Sequence, residues 1–177
     1  FRYDGNAWTS EPSGTSAHLR GVWGSGSENT FAVGDAGTIV RRQAAGWTVM
    51  TSPTGLGLSG IWGSGPEDVY AVGGDVADAG HVIIHFDGSE WTAVNVGDDR
   101  LSSLARVRGR SPSDLCAVGG WRGDAYEESR PLLLHFDGTS WSEIQVDARG
   151  GLTDVWPLST GAYLVSGAWD TLGVVEL

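Results

Sequence analysis

Two tryptophans and several carboxylates fall in the loops of a repeated sequence, where they could bind a ligand together. Trp121 and Trp169 occupy one aligned position, and Asp35 and Asp75 occupy it in the two preceding repeats. Aromatic platforms beside carboxylates suit a sugar ring, whose C–H face stacks and whose hydroxyls donate hydrogen bonds, and they also suit a cationic partner. With their loop neighbours, the predicted ligand-binding residues are Asp35, Asp75, Asp78, Trp121, Arg122, Asp124, Tyr126, Trp169 and Asp170.

A competing interpretation assigns these side chains no ligand. Trp121 and Trp169 would fold inward as a lid over a central channel, and the acidic residues would only be solvated. The sequence leaves both interpretations open.

The loops belong to a unit of four apolar runs that recurs along the chain. In residues 58–96 the runs are LSGIWGSG, EDVYAVGG, GHVIIHFDG and SEWTAVNV. The fourth run begins at Trp8, Trp47, Trp91 and Trp141, so the repeats are spaced by 39, 44 and 50 residues. Self-similarity at this period is typical of an array or a propeller.

Each run has the length and composition of a β-strand, and the links between runs are tight turns such as Asp87-Gly88. Such links join antiparallel strands, which we label A to D outward from a central axis. Runs such as Val82-Ile83-Ile84 and Leu132-Leu133-Leu134 are apolar on both faces, so each small sheet must be covered by its neighbours. The predicted fold class is therefore all-β, a β-propeller of four-stranded antiparallel blades with about four blade repeats.

The predicted domain is a single propeller or part of one. Its blade repeats are residues 18–51, 57–96, 103–146, and 151–177 completed by 1–9. Three arrangements are consistent with this pattern: a closed four-bladed ring, half of a larger ring completed by a second copy, and a piece of a longer chain. Because the break falls within a strand, where natural termini are uncommon, the third or second arrangement, a part of something larger, is favoured.

Composition restricts the partners. The net charge is −11, and all eleven basic residues are arginines, which disfavours nucleic acid and anionic membranes. No apolar run reaches 18 residues, so membrane insertion is not expected. Cys116 is the single cysteine, so no internal disulfide can form, and its place in an apolar run predicts a buried packing thiol.

Several motifs resemble a known group of repeat propellers. They are VWGSGSENTFAVGDAGTIV, IWGSGPEDVYAVGG, HFDGSEW and HFDGTSW. The chain resembles propellers of bacterial secreted and envelope proteins, related to Asp-box (BNR) and photosystem II assembly-factor-type propellers. The resemblance implies a secreted or cell-envelope location and a structural role for the Asp-Gly turns. Asp87-Gly88-x-x-Trp91 lacks one spacer residue of the Asp-box pattern, and Ala44-Ala45-Gly46-Trp47 has no aspartate.

Meander geometry places the B–C and D–A loops on one face, and these loops vary between repeats while the opposite turns do not. The first functional hypothesis is a non-catalytic propeller that recognises a glycan or a protein through these loops. The alternative is a structural or assembly module of a larger ring or complex.

A second alternative is an Asp-box-type glycosidase. It would have to recruit Arg100, Arg122, Arg149, Tyr126 and Asp124, which no spacing singles out.

The sequence predicts no cofactor and no catalytic residue. The four histidines lack a zinc spacing, and His85 and His135 share one repeat position, which indicates a structural role. Asp75 and Asp78 with Gly80 form only a weak calcium pattern, without the alternating ligands of a calcium loop.

Overall fold

The computed structural model describes residues 1–75, 80–96, 102–121, 130–159, 161–167 and 172–176. Regular structure in these ranges consists of strands and one 3₁₀ turn, Asp35–Gly37. The strands are β1 (Arg2–Tyr3), β2 (Trp8–Thr9), β3 (Leu19–Gly26), β4 (Asn29–Gly34), β5 (Ile39–Gln43), β6 (Gly46–Val49), β7 (Leu58–Gly65), β8 (Asp68–Asp75), β9 (Gly80–Phe86), β10 (Trp91–Val94), β11 (Ser102–Ser111), β12 (Asp114–Trp121), β13 (Arg130–Phe136), β14 (Trp141–Glu143), β15 (Leu152–Pro157), β16 (Ala162–Gly167) and β17 (Leu172–Glu176).

Consecutive strands pair antiparallel and form four successive meanders, which we call sheets 1 to 4. Sheet 1 is β3 to β6, sheet 2 is β7 to β10, sheet 3 is β11 to β14, and sheet 4 is β15 to β17. Strands β1 and β2 pair with each other as a separate hairpin. The predicted completion of the last blade by residues 1–9 therefore stays a prediction.

The turns between strands C and D are built by their aspartates. The Asp87 carboxylate accepts the backbone N–H groups of Ser89 and Glu90 at 2.9 and 3.0 Å, and Asp137 and Asp4 cap their own turns in the same way. The following Gly88 has φ +98°, a left-handed conformation that glycine adopts without strain. These backbone hydrogen bonds lower the pKa of Asp87 to about 2. The aspartates of these turns are structural, as the resemblance implies.

Three apolar cores lie between neighbouring sheets. Between sheets 1 and 2, Phe31 and Val33 pack against Ile61 and Ile84, and the other two cores repeat this arrangement. The first strands of adjacent sheets also approach closely, since a Cβ on Gly60 would lie 2.8 Å from the Arg106 Cα. A side chain on Gly60 would therefore clash with β11, which agrees with the predicted crowding of the inner strands.

The tryptophans that begin strand D fill the gaps between sheets 1 and 2 and between sheets 2 and 3. Trp91 is buried and lies edge-on to Phe31 of the preceding sheet, with ring centroids 6.0 Å apart. Trp141 meets Tyr70 of the preceding sheet at 6.0 Å. The predicted wedge role is confirmed for both tryptophans.

The prediction of an all-β stack of antiparallel meanders is confirmed, with sheets 1 to 3 having four strands each and sheet 4 three described strands. Cys116 is fully buried, and burial raises the pKa of its thiol to about 12. In the described ranges, no helix is long and apolar enough to cross a membrane.

Candidate functional site

The inner edges of the first strands line a groove. A cavity of about 160 Å³ lies along β3, β7 and β11, and its walls include Arg20, Ser59, Arg106 and Arg108. A second cavity of about 480 Å³ adjoins it on the B–C and D–A loop face and shares Arg20 and Ser59 with it. We call the two together the inner groove.

Two arginines of β11 bridge to the neighbouring strand inside the groove. The Arg106 guanidinium donates to the carbonyl oxygens of Ser59 and Ala105 at 3.3 and 2.8 Å. Arg108 donates to those of Ile61 and Val107 at 3.5 and 3.2 Å. Strand A forms one edge of its sheet, so these inner carbonyls have no partner strand. The arginines satisfy them and place positive charge in the groove.

The mouth of the groove carries an ion pair. Arg20 donates to the carboxylate of Asp35, and this hydrogen bond lowers the pKa of Asp35. Both side chains are partly exposed, so water screens the pair and it contributes little to stability.

The backbone beside Asp35 is tightly packed. Gly37 has φ +69°, and a Cβ on it would lie 2.0 Å from the Thr54 carbonyl oxygen, so only glycine fits there. Ala36, which lines the larger cavity, is also left-handed at φ 52°. The loop after β4 is therefore held against the D–A loop that precedes β7.

The structure brings two of the predicted ligand-binding residues together. Asp35 and Asp75 line the same cavity on the predicted face. Trp121 ends β12, opposite Ser102, and its side chain lies outside the described part. The remaining predicted residues lie outside the described ranges: Asp78, Arg122, Asp124, Tyr126, Trp169 and Asp170.

The sequence prediction missed the groove arginines. Arg106 stands at the position of Gly60, and Arg108 stands at that of Trp62, as the strand pairing shows. Both residues depart from the repeat on strand A, where the other blades have glycine, aspartate or tryptophan. These departures from the repeat are the sequence signal for the groove. The sequence prediction places the site in the variable loops instead, because the strands are interpreted as scaffold.

The histidines at the shared repeat position have structural partners. His85 contacts Asp68 at 2.7 Å and His135 contacts Asp114 at 3.1 Å, each within its own sheet. Although burial opposes it, hydrogen bonds from Arg110, Tyr163 and His135 lower the pKa of Asp114. The structural interpretation of His85 and His135 is confirmed.

Among the described residues no group of three or more His, Cys, Asp or Glu side chains could hold a metal ion. The weak calcium pattern includes Asp78, which lies outside those ranges, so it stays untested. Of the residues that the glycosidase alternative would recruit, only Arg149 is described.

Comparison with known proteins gives the fold. No family model matches the sequence, and no curated protein matches it. Solved structures do match, among them a chain described as "YCF48 bound to D1 peptide", with a TM-score of 0.63 and 13% sequence identity. The match covers 92% of this chain and 52% of that one, so the chain spans about half the length of the structure it resembles.

A likeness at this identity shows the fold alone, and the fold is that of a β-propeller. Each of the four sheets is then a blade, stacked on its neighbours around the inner groove. The relation to Asp-box propellers and a bacterial origin stay predictions from the sequence.

Proposed function

We propose that this chain is a non-catalytic propeller module that binds an acidic peptide segment of another protein in the inner groove. One observation carries the proposal: Arg106 and Arg108 line a cavity, and their described contacts are backbone carbonyls. Their charges are therefore held in the groove without a described carboxylate partner.

Each of these guanidinium groups has donors to spare. A guanidinium has five N–H donors in a planar fork that matches a carboxylate. Arg106 and Arg108 use one terminal nitrogen each on carbonyl oxygens. The other N–H groups can receive a carboxylate of a bound peptide without breaking these hydrogen bonds.

The charge of the whole chain adds selectivity. At a net charge of −11, the outer surface repels an acidic segment, while the groove attracts it locally. Arg20 at the mouth is paired with Asp35, so the charge available to a ligand lies deeper, on β11. An extended peptide suits this site because backbone N–H groups on the free edge of strand A can also donate hydrogen bonds to it.

The comparison supports a peptide as the ligand class. The YCF48 chain is described as bound to a D1 peptide, and this chain shares its fold over 92% of its length. That likeness makes a protein segment a better-supported ligand than a glycan.

The experiment is a peptide array that carries each sequence with glutamate and with glutamine at matched positions. We expect the chain to retain the glutamate members, and the Arg106→Ala/Arg108→Ala double variant to bind them at least tenfold more weakly by fluorescence anisotropy. Arg2→Ala removes an exposed arginine of β1 and is the matched control. Equal retention of the glutamate and glutamine members, or equal binding by the double variant, would contradict the proposal.

The glycan hypothesis makes a separate prediction. A glycan array would show a bound sugar whose signal disappears in Trp121→Ala and Trp169→Ala and persists in the arginine variant. We also propose a secreted or cell-envelope location, which the sequence resemblance implies.

A further inference from the structure

The first strands of the four blades have equivalent positions that face the preceding blade. Ile61, Val107 and Val155 are each at most 2% exposed, because each packs on the blade before it. Val22 occupies the same position in sheet 1, opposite Ala32 as Ile61 lies opposite Ala71. It is 68% exposed, and its neighbour Leu19 is exposed as well.

The opposite side of strand A carries a complementary contact. Trp23 packs on Gly63 of the next blade, where a Cβ would lie 2.8 Å from its ring. Trp62 packs in the same way on Gly109, where a Cβ would lie 2.7 Å from the ring. Each of these contacts places an indole on a glycine of the following blade.

Among the described residues, neither half of this contact has a partner from another blade at the ends of the stack. Trp156 has the position of Trp62, since Trp156 pairs with Leu164 as Trp62 pairs with Tyr70, and it is 62% exposed. Gly24 has the position of Gly63, but the atoms nearest to a Cβ there belong to Asn29 and Thr30 of its own sheet. We call the exposed side of β3 the first face and the exposed side of β15 the last face.

The outer part of sheet 1 on this side is already covered. Glu11 accepts hydrogen bonds from Arg42 at 3.0 and 3.2 Å and from the Trp47 indole at 3.1 Å. The apolar residues that remain exposed on this side are Leu19 and Val22 of the inner strand β3 and Val49 of the outer strand β6.

We propose that a second copy of this chain packs head to tail on these faces, with Trp156 of one copy on Gly24 of the other, and that two copies close one ring. The same contact, an indole packed on a glycine of the following blade, already occurs at two blade interfaces within the chain. A head-to-tail contact forms a ring when its rotation closes. The chain matches about half of one solved chain of the same fold, so two copies together have about the length of that chain.

The experiment measures mass by light scattering and sedimentation for the 177-residue chain and its variants. We expect the unaltered chain to have twice the mass of one 18.6 kDa chain. Val22→Asp and Trp156→Asp should each have the mass of a single chain, because each breaks both interfaces of the ring. Val49→Asp is the matched control and should keep the doubled mass, because its equivalent in sheet 2, Ala93, stays exposed beside the interface of sheets 1 and 2.

Mixing the two variants removes the concern that either is misfolded. An equimolar mixture of Val22→Asp and Trp156→Asp contains one intact pair of faces, so the doubled mass should return. A single-chain mass for the unaltered protein overturns the proposal and leaves the faces to further blades of a longer polypeptide. A doubled mass in both single variants, or an unaltered chain larger than two copies, also overturns it.

Discussion

Strands β3 and β7 have nearly the same sequence and different surroundings. The sequences are LRGVWGSG and LSGIWGSG, and they differ only at Arg20 against Ser59 and Val22 against Ile61. Leu58 and Ile61 are at most 2% exposed, while Leu19 and Val22 are open to solvent. Strand β7 lies between two sheets, whereas in the described part of the chain β3 has a sheet on one side, and Glu11 bonds to β5 on the other.

In these two strands nearly the same residues differ in solvent exposure, because the neighbouring sheets differ. The same apolar residues stabilise the fold in β7 by leaving water, and in β3 they offer a surface for association. The predictions below test that distinction. They use matched substitutions at buried and exposed copies of one feature.

The largest effect is expected from Ile61→Ala. Removing a buried isoleucine leaves a cavity between sheets 1 and 2, and such changes cost about 2 to 5 kcal/mol. Val22→Ala at the equivalent exposed position should change the free energy of unfolding by less than about 0.5 kcal/mol. Urea denaturation measures the free energy of unfolding of both variants. Both carry Trp156→Asp as well, so that the last face does not bind a second copy. Equal losses would show that the two strands are equally buried in solution.

The second comparison concerns tyrosine hydroxyls. Tyr163 of sheet 4 donates to the Asp114 carboxylate of sheet 3 at 2.9 Å, so Tyr163→Phe leaves a half-buried carboxylate short of a donor. A hydrogen bond to a charged group contributes about 1.5 to 3 kcal/mol, and we expect a loss in that range by thermal or urea unfolding. Tyr3→Phe removes an exposed hydroxyl that bonds only Gly5, and it should have little effect.

The third comparison tests the indole on glycine. Gly63→Ala places a methyl group 2.8 Å from the Trp23 ring, and overpacking of this kind costs about 1 to 3 kcal/mol. Gly65→Ala in the same strand meets no atom within 4 Å and serves as the control. Intrinsic tryptophan fluorescence should shift in the Gly63 variant and not in the Gly65 variant. The absence of any shift would argue against packing of the indole on this glycine.

The smallest effect is expected on the pH dependence of the free energy of unfolding. The pKa of Asp87 is lowered to about 2 by the backbone hydrogen bonds of its turn. A carboxyl whose folded pKa is lowered stabilises the fold above its ordinary pKa, and this contribution is lost as pH falls towards the folded value. Between about pH 4 and pH 2, Asp87→Asn should therefore lose less stability than the unaltered chain. Asp137→Asn, at the equivalent turn of sheet 3, should change the pH dependence in the same direction, because backbone hydrogen bonds also lower the pKa of Asp137. An equal loss of stability in the variants and the unaltered chain would contradict this prediction.

The repeat made most of the fold predictable. Tight Asp-Gly links exclude parallel strands, and runs that are apolar on both faces require a sheet on each side, so local sequence was enough for an antiparallel stack. The wedge role of Trp91 and Trp141 followed from the same register.

The candidate site was less predictable. Asp35 and Asp75 line one cavity, because Asp35 follows β4 and Asp75 ends β8, the second strands of neighbouring sheets. That they bind a ligand stays a prediction. Arg106 and Arg108 were missed, because their role depends on the inner carbonyls of β7, which reach them only across a blade interface. A long side chain can bridge such an interface without leaving any periodicity in the sequence.

The sequence by itself determined the strands, their turns and the order in which they pair, because hydrogen bonding between adjacent strands depends on short links and local residue types. Only the tertiary structure decided which leucines and valines are buried, and which arginines share a cavity. Burial and charge proximity depend on the neighbouring blades. Nearly identical strands therefore acquire different roles when one of them has a blade on each side and the other does not.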